Sequence, residues 1–479
     1  MKLIKNYFYN VCYQMLVLIL PLITAPYISR TLGPKGVGQY SFTYSIITWF
    51  TLITSIGIAY YGDRQVAYVR DNKYQLSKTF YELQIIKITM TVISMVIFIA
   101  FINIYHRYTF LLCLQAINIL ASTIDISWLY MGLENFKVTV MRNTLVKIAS
   151  VILIFAFVHE ESDTWLYVFI LAISSFLGNL TLWPELRKFL VPVDFKKLKP
   201  YSHLRESLVL FLPSIATRIY LNLNKTILGI IVGSTAAGFY QNSDNLIQMI
   251  ISVVTATGTV VLPRAANEYA RGNYDAIKHM LYKSFNFISF LAFPMAFGVA
   301  GIALKLSTFF YGSKFAPVGP VMIIESIVII LVAWSNAIGI QYLLPMKRTK
   351  DYTRSLVISA IFSMILSTPL IYFGRLHGAM IVTVLSEGIV TLYQLVIVHN
   401  EINLKKLFKD IPKFLLASLV MFVVVFSINK YWYFNLFSMI TEVIIGIIIY
   451  MFVIMVLRPT ILQEATVLVN LVKSKFIKN

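Results

Sequence analysis

Two basic side chains, Arg218 and Lys225, interrupt an otherwise apolar segment. The segment reads IATRIYLNLNKTILGIIVG and covers residues 215–233. At the centre of a membrane helix each charge costs about 2.5 to 3.5 kcal/mol, so the pair opposes burial in lipid by roughly 5 to 7 kcal/mol. A phosphate-bearing passenger would offset this cost, because guanidinium groups hold phosphate oxygens through paired donors and lysine holds them as a point charge.

Helical spacing collects further polar side chains near these two cations. Arg218, Asn222 and Lys225 stand at i, i+4 and i+7, so they share one helix face. Polar stripes that converge on one bundle interior indicate a polar pathway. We therefore predict a cationic cavity whose substrate-binding residues are Arg30, Arg64, Arg218, Asn222, Lys225, Tyr240 and Asp244. The alternative is an interhelical pair, for instance between Lys225 and Asp244, that only holds the bundle together.

Three acidic residues also lie in apolar stretches. They are Asp125, Glu325 and Glu387, and we predict them as possible sites of ion coupling, because intramembrane carboxylates commonly mark ion or proton pathways. Structural pairing is the alternative for Asp125 and Glu325. The sequence has neither a Walker-type glycine loop nor a metal-binding cluster, so we expect no cofactor and no ATP hydrolysis.

Composition assigns these residues to a membrane protein. Of the 479 residues, 58% are hydrophobic and 13% are charged, and the mean hydropathy is +0.76, far above that of soluble domains. Crossing a bilayer takes about 20 apolar residues. Fourteen stretches qualify, near residues 7–29, 38–62, 79–104, 108–132, 142–158, 163–185, 207–232, 236–262, 280–304, 318–344, 353–374, 377–399, 411–429 and 436–457. We predict an all-α polytopic membrane protein with fourteen transmembrane helices.

Basic residues alternate between the loops of this plan. If the N-terminus is cytoplasmic, cytoplasmic segments hold 30 of the 41 Lys and Arg residues and outer loops hold 7. This positive-inside pattern predicts that both termini are cytoplasmic. The net charge of +20 then reflects topology and neighbouring anionic lipids, and nucleic-acid binding is not expected.

An internal repeat divides the chain. The segment LGPKGVGQYSF at 32–42 aligns with VGSTAAGFYQN at 232–242, although short matches also arise by chance in biased membrane sequence. At a constant offset of 200 the matched pairs are Gly33 and Gly233, Gly38 and Gly238, Tyr40 and Tyr240, and Arg64 and Arg264. We predict an N-terminal six-helix lobe (1–190), a cytoplasmic connector (191–206), a C-terminal six-helix lobe (207–400), and two additional transmembrane helices with a cytoplasmic tail (401–479). Parallel repeats of this kind commonly rock around a central site to give alternating access.

Several motifs resemble those of one transporter family. DISWLYMGLENFKVTVMRNTLVKI at 125–148, with Trp128, Gly132 and Glu134, is similar to the signature of the polysaccharide transporter (Wzx-type flippase) branch of the multidrug/oligosaccharidyl-lipid/polysaccharide exporter superfamily. LPLITAPYISRTLGPKGVGQYSF near the N-terminus and GFYQNSDNLIQ with VLPRAA in the second half also resemble that branch.

The resemblance implies a fold and a function. The fold is two six-helix lobes in a V-shaped, MATE-like arrangement, followed by two C-terminal helices. The function is a flippase in a bacterial plasma membrane that moves undecaprenyl-diphosphate-linked oligosaccharide units to the outer leaflet for capsule, O-antigen or exopolysaccharide. Implied partners are that lipid-linked glycan, the bilayer, and a polysaccharide polymerase with its chain-length machinery. Relatives often carry an acidic residue just before the lysine of the seventh span, where this chain has Asn224.

Two other functions remain open at this stage. A cation-coupled multidrug exporter of the same superfamily would favour an acidic or aromatic cavity, whereas these spans carry arginine and lysine. A membrane-bound polysaccharide polymerase, which would be an enzyme, usually needs a sizeable outer loop, and the longest outer loop here is roughly 305–317. We therefore expect no enzymatic activity.

Overall fold

The computed structural model describes residues 2–256 and 258–462, and every regular element in those residues is helical. The α-helices are α1 (Lys2–Ser55), α2 (Ile58–Val69), α3 (Lys73–Ile104), α4 (Thr109–Gln115), α5 (Ile117–Ile124), α6 (Ser127–Gly132), α7 (Phe136–Phe157), α8 (Thr164–Leu180), α9 (Leu204–Ile231), α10 (Ser234–Thr255), α11 (Gly258–Ala270), α12 (Tyr274–Tyr311), α13 (Val318–Glu325), α14 (Ile327–Ser335), α15 (Thr349–Val398), α16 (Leu404–Leu407), α17 (Ile411–Tyr431) and α18 (Leu436–Leu457). Short 3₁₀ turns and a π-helical segment, Asn336–Leu343, connect some of them. The predicted all-α membrane fold is confirmed, and the predicted tail beyond residue 462 lies outside the described residues.

Ten helical segments in the described chain are long and apolar enough to cross a membrane. Two of the ten are double-length helices that continue through a kink: α1 bends at Gly33 and α15 bends at Arg375, where the backbone leaves helical geometry. The sequence predicts separate spans on either side of both kinks. The helix α9, which carries Arg218 and Lys225, is not among the ten. The number fourteen therefore stays a prediction.

The chain divides into two compact units, Met1–Gly238 and the part from Phe239 onward. The predicted connector, 191–206, is bound to α3 of the first unit. Its backbone N–H groups at Val191 and Lys199 donate to Ser77 Oγ (2.8 Å) and to Glu82 Oε1 (2.7 Å). The boundary between compact units thus falls after α9, and the division into six-helix lobes at residues 190 and 207 stays a prediction.

Glycines of the predicted repeat share an unusual backbone. Gly33 and Gly233 both have positive φ, 64° and 125°. A Cβ on Gly238 would lie 2.8 Å from the Cα of Gly38, so α1 and α10 touch at matched repeat positions. Both features require glycine, because any side chain would strain the backbone or fill the contact.

The family-like signature fastens α6 to α2. Trp128 is 2% exposed, and a Cβ on Gly62 would lie 2.6 Å from its ring. Gly132 allows an equally close approach of α2, since a Cβ on Gly132 would lie 2.6 Å from the carbonyl oxygen of Asp63. Glu134 then pairs with Arg70 at 2.7 Å just beyond both helices. The motif positions of the signature therefore have a structural explanation.

The free carbonyl groups at a helix break between α5 and α6 accept hydrogen bonds from side chains of α3, of α8 and of Trp183, just after α8. The freed carbonyl groups have no water to bind within a bilayer, so protein donors must satisfy them. The donor and acceptor pairs are Asn179 Nδ2 to Ala121 (2.8 Å), Gln84 Nε2 to Thr123 (2.9 Å), Trp183 Nε1 to Ile124 (2.8 Å) and Lys87 Nζ to Asp125 (2.5 Å). These four hydrogen bonds therefore stabilise the break and connect it to α3 and to the region of α8.

Replacement of Gly132 by alanine tests the fastening of α6 to α2. The added methyl group overlaps the Asp63 carbonyl oxygen and the Val66 side chain, and such overpacking costs about 1 to 3 kcal/mol. We expect Gly132→Ala to lower the thermal unfolding midpoint in detergent. Gly388→Ala is the control, because its nearest neighbour, Leu331, would be 4.0 Å away. Equal midpoints for the two variants would contradict the packing assignment.

Candidate functional site

Helix α9 carries the predicted cationic stripe. Arg218 is exposed, whereas Asn222 and Lys225 are 8% and 9% exposed. The amide of Asn222 donates to the carbonyl oxygen of Arg218 at 3.2 Å, which ties it to its own helix. The stripe therefore runs from Arg218, which is accessible, to Lys225, which is nearly enclosed and lies about two turns further along α9.

Contacts with α1 fix the rotation of α9 about its axis. The hydroxyl of Thr226 donates to Ser45 Oγ at 3.0 Å and accepts from the indole N–H of Trp49 at 3.1 Å. One turn later, Gly229 leaves room for the ring of Phe42, which a Cβ would overlap. Thr226 and Gly229 therefore define the face against α1. Lys225, at 100° per residue, flanks that face.

The predicted arginines at the helix ends lie far from the middle of α9. Arg64 pairs with Glu206 at 3.2 Å, in the first turn of α9. Glu206 precedes Arg218 by twelve residues, or about 18 Å of helix. The structure therefore places Arg64 at one end of α9 instead of beside Arg218.

Arg30 lies near the middle of α1, beside the kink at Gly33. Arg30 is exposed and stands three residues before Gly33. One turn earlier, the Tyr27 hydroxyl donates to the carbonyl oxygen of Val158 at 2.6 Å. The helical stretch of α1 from the kink to Ser55 is about 33 Å long, so Arg30 and Arg64 are separated by roughly the thickness of a bilayer. The predicted cations are thus distributed along the first unit and form no single cluster.

In the second unit, Tyr240 and Asp244 occupy one side of α10. Tyr240 is 2% exposed and its hydroxyl shares a hydrogen bond with Thr383 at 2.7 Å, an arrangement that suits packing better than stacking on a sugar. Asp244 is 8% exposed and accepts a bond from Gln248 at 3.3 Å. Substrate binding by these two residues stays a prediction.

The three predicted ion-coupling carboxylates have different surroundings. Asp125 uses its carboxylate to accept the backbone N–H of Ser127 at 2.9 Å, at the start of α6. Glu325 is 1% exposed and accepts the hydroxyl of Ser243 at 2.5 Å. Glu387 is 6% exposed on α15. Asp125 therefore has a local capping role, while Glu325 and Glu387 are enclosed carboxylates.

Sequence reasoning assigned no role to several buried ionisable groups. Lys87 caps the break after α5, as described above. Glu82 is 4% exposed and accepts from His203 Nε2 at 2.9 Å, and the other ring nitrogen of His203 lies 2.7 Å from the Tyr61 hydroxyl. Glu442 is fully buried and accepts from Asn429 at 2.9 Å. The sequence signal that could have identified Lys87 and Glu442 was an ionisable residue within an apolar span.

Within the described parts of the chain, no three His, Cys, Asp or Glu residues are grouped so that they could hold a metal ion. The arrangement in the first unit can do noncovalent chemistry: a positively charged helix inside a helical bundle can attract and hold an anion. Its cations sit at different depths, so they would meet that anion in succession.

Curated relatives are transporters by name. The chain is 22% identical over 409 residues to a protein named "Putative O-antigen transporter" from Escherichia coli (strain K12), which covers 84% of this chain and 98% of that protein. It is 24% identical over 180 residues to the protein named "Lipid II flippase MurJ" from Bacillus subtilis (strain 168), covering 37% of this chain and 33% of that protein.

Solved structures share the fold. A lipid II flippase MurJ in an inward closed conformation matches with a TM-score of 0.72 at 17% identity, covering 93% of this chain and 98% of that one. An inward-facing multidrug resistance MATE family transporter of the MOP superfamily matches with a TM-score of 0.62 at 11% identity, covering 80% and 95%.

One family assignment follows from the sequence itself. The family described as "Polysaccharide biosynthesis protein" matches residues 3–268, which include the signature around Trp128 and all of α9. This confirms the resemblance found in the motifs. Because the match covers more than half of the 479 residues, the chain belongs to the polysaccharide biosynthesis protein family.

Proposed function

We propose that this multi-pass membrane protein is a flippase for lipid-linked oligosaccharides. The family match and the names of the relatives, an O-antigen transporter and a lipid II flippase, support a cargo that combines a lipid, a phosphate group and sugars. The proposed cargo is an undecaprenyl-diphosphate-linked repeat unit of a surface polysaccharide. Translocation breaks no covalent bond, so the protein needs no catalytic group.

The observation that carries the proposal is the charge on α9. Lys225 is nine-tenths buried in the last third of the 28-residue helix α9, and Arg218 lies two turns before it, near the middle of the helix. A diphosphate has several oxygens that accept charge-assisted hydrogen bonds from such groups. Arg64, which pairs with Glu206 at the start of α9, is followed along that helix by Arg218 and then by Lys225. The diphosphate would bind these cations one after another as it crosses the membrane, while the sugars follow in a polar environment.

A multidrug exporter is the second candidate, supported by the fold shared with a MATE transporter. The residues of α9 favour the flippase over this candidate, since a cationic passenger would be repelled by Arg218 and Lys225. A polymerase is the least favoured, because the relatives are named as a transporter and a flippase and, among the residues described, no three His, Cys, Asp or Glu residues are grouped to hold a metal ion.

Orientation and partners complete the proposal. The positive-inside pattern supports a cytoplasmic location for both termini in a bacterial cell, and the cargo would then move from the inner to the outer leaflet. A polysaccharide polymerase with its chain-length machinery would receive the cargo there. Alternating access around the repeat axis is the proposed mode of movement.

We propose Glu325 or Glu387 for ion coupling, in preference to Asp125. A carboxylate that binds and releases a proton or sodium ion must exchange its partners, and the carboxylate of Asp125 is used in capping α6. Glu325 has a hydroxyl partner, Ser243, that can remain bonded to either the charged or the neutral carboxyl.

Depletion of the protein tests the function directly. We expect a polyprenyl-diphosphate-linked glycan to accumulate in the inner leaflet, measured by lipid extraction with mass spectrometry and by leaflet-selective labelling. Restored expression should clear it. Accumulation of no such lipid, together with new sensitivity to cationic drugs, would favour the drug-exporter function.

Removal of the α9 charges tests the binding site. Loss of one charge-assisted contact costs about 1.5 to 3 kcal/mol, so Arg218→Ala or Lys225→Ala should reduce glycan translocation by about 10- to 100-fold. Lys225→Arg should retain part of the activity. Arg205→Ala, an exposed cation in the first turn of the same helix, is the matched control. If both alanine variants translocate as well as Arg205→Ala does, the site assignment fails.

Neutral variants test the ion-coupling proposal. Glu325→Gln keeps the shape and an acceptor for Ser243 but cannot change its charge, so we expect transport that no longer responds to a proton or sodium gradient. Asp125→Asn keeps the capping acceptor and should respond normally. The measurement is translocation in vesicles with imposed gradients, with Glu387→Gln tested in parallel. A normal gradient response in both glutamine variants would exclude coupling at these positions.

A further inference from the structure

A second cationic site lies in the second unit, far from α9 in sequence. A cavity of about 150 Å³, room for about five water molecules, opens between the beginning of α12, the short helix α16 and the beginning of α17. Its lining includes Tyr282, Lys283, Asn286, Lys406, Lys409 and Asp410. Three of these six side chains are lysines, so the cavity is suited to an anion.

The acidic residue in this cavity is already neutralised. Asp410 is 3% exposed and accepts from Lys413 Nζ at 2.9 Å, from Asn286 Nδ2 at 3.0 Å and from the backbone N–H of Thr460 at 2.8 Å. These contacts use both carboxylate oxygens for the framework of the cavity, and Lys413 supplies the opposite charge. The positive charge of Lys406 and Lys409 is therefore not cancelled by Asp410.

Other polar atoms in the cavity have capacity for a ligand. The hydroxyl oxygen of Tyr282 accepts the backbone N–H of Asn403 at 2.8 Å, which leaves its own hydrogen to donate. The ammonium of Lys406 lies 4.8 Å above the Tyr282 ring. The side-chain oxygen of Asn286 is buried and accepts no hydrogen bond from the residues described. The cavity thus offers cations, a hydroxyl donor and one buried acceptor.

The cavity lies at the level of the lipid headgroups. At the other end of the same two helices, Lys305 of α12 donates to the carbonyl oxygens of Lys430 (3.2 Å), in the last turn of α17, and of Trp432 (2.6 Å), just after it. Asn286 and Lys305 are nineteen residues apart on α12, or about 28 Å, which matches the hydrocarbon thickness of a bilayer. A ligand in the cavity would therefore meet the membrane surface.

We propose that this cavity binds the headgroup of an anionic phospholipid that carries hydroxyl groups, such as phosphatidylglycerol. The phosphate would contact Lys406, Lys409 and the Tyr282 hydroxyl, and a headgroup hydroxyl would donate to Asn286 Oδ1. Exposed apolar side chains of α17, including Leu416 and Val423, continue from the cavity toward the membrane centre and would contact the acyl chains. The lipid would link α12 to the C-terminal helices, and its binding does not depend on the proposed transport function.

Lipid binding to the full-length protein in detergent tests this site by native mass spectrometry. We expect phosphatidylglycerol to be retained about 10-fold more strongly than phosphatidylcholine, and Lys406→Gln/Lys409→Gln to remove that preference. The matched control is Lys350→Gln/Lys405→Gln, which removes two exposed lysines outside the cavity, one of them next to Lys406. It should retain the preference within about twofold. Unchanged thermal unfolding of both double variants verifies their folding.

Competition distinguishes the source of the phosphate. Excess inorganic phosphate should leave phosphatidylglycerol bound, and undecaprenyl diphosphate should displace it no better than phosphatidylglycerol itself does. Displacement by inorganic phosphate would assign the cavity to a soluble anion, and stronger displacement by undecaprenyl diphosphate would assign it to the transported lipid. Either result, or equal loss of binding in the two double variants, overturns the proposal.

Discussion

A helix that breaks inside a bilayer must have its freed carbonyl groups bound by neighbouring side chains, because the hydrocarbon offers no other donor. The break between α5 and α6 meets this constraint with four donors, two from α3, one from α8 and one from Trp183 just after α8. Those four contacts set the positions of three elements at once and deliver α6 to α2, where Trp128 and Gly132 pack. The signature of the family therefore lies next to a helix break whose carbonyl groups need side-chain donors.

The same constraint distinguishes Lys87, which has a structural partner, from the charges that we propose for substrate binding. Lys87 costs as much to bury as Lys225, yet its ammonium is bound to the carbonyl oxygen of Asp125 at the C-terminal end of a helix, where the helix dipole favours a cation. Arg218, in contrast, is exposed on a helix that elsewhere packs tightly against α1. The contact with Asp125 explains Lys87 by the fold alone, whereas the proposed function supplies an anionic partner for the exposed Arg218.

Local sequence patterns predicted the helices, whereas long-range contacts determine where each charged side chain lies. Hydropathy located the helices, and glycine spacing identified Gly33 and Gly233, which both have positive φ. The sequence could not show that the charged connector is bound to α3, because Glu82 and His203 are 121 residues apart. It also could not show that Arg64 pairs with Glu206, which separates it from Arg218 along α9. Residue types identified the candidate cations, but their depths follow from which helix each one packs against.

The position of α9 sharpens the meaning of the asymmetric repeat. At an offset of 200 residues, Arg218, Asn222 and Lys225 align with Leu18, Leu22 and Ala25, which are uncharged. Because α9 is bound to α1 through Thr226, Ser45 and Trp49, the charged segment and its neutral counterpart in α1 belong to one compact unit. An anion held by α9 would therefore be held by the first unit. Charge on one copy alone is thus compatible with a passenger that stays bound while access changes from one side of the membrane to the other.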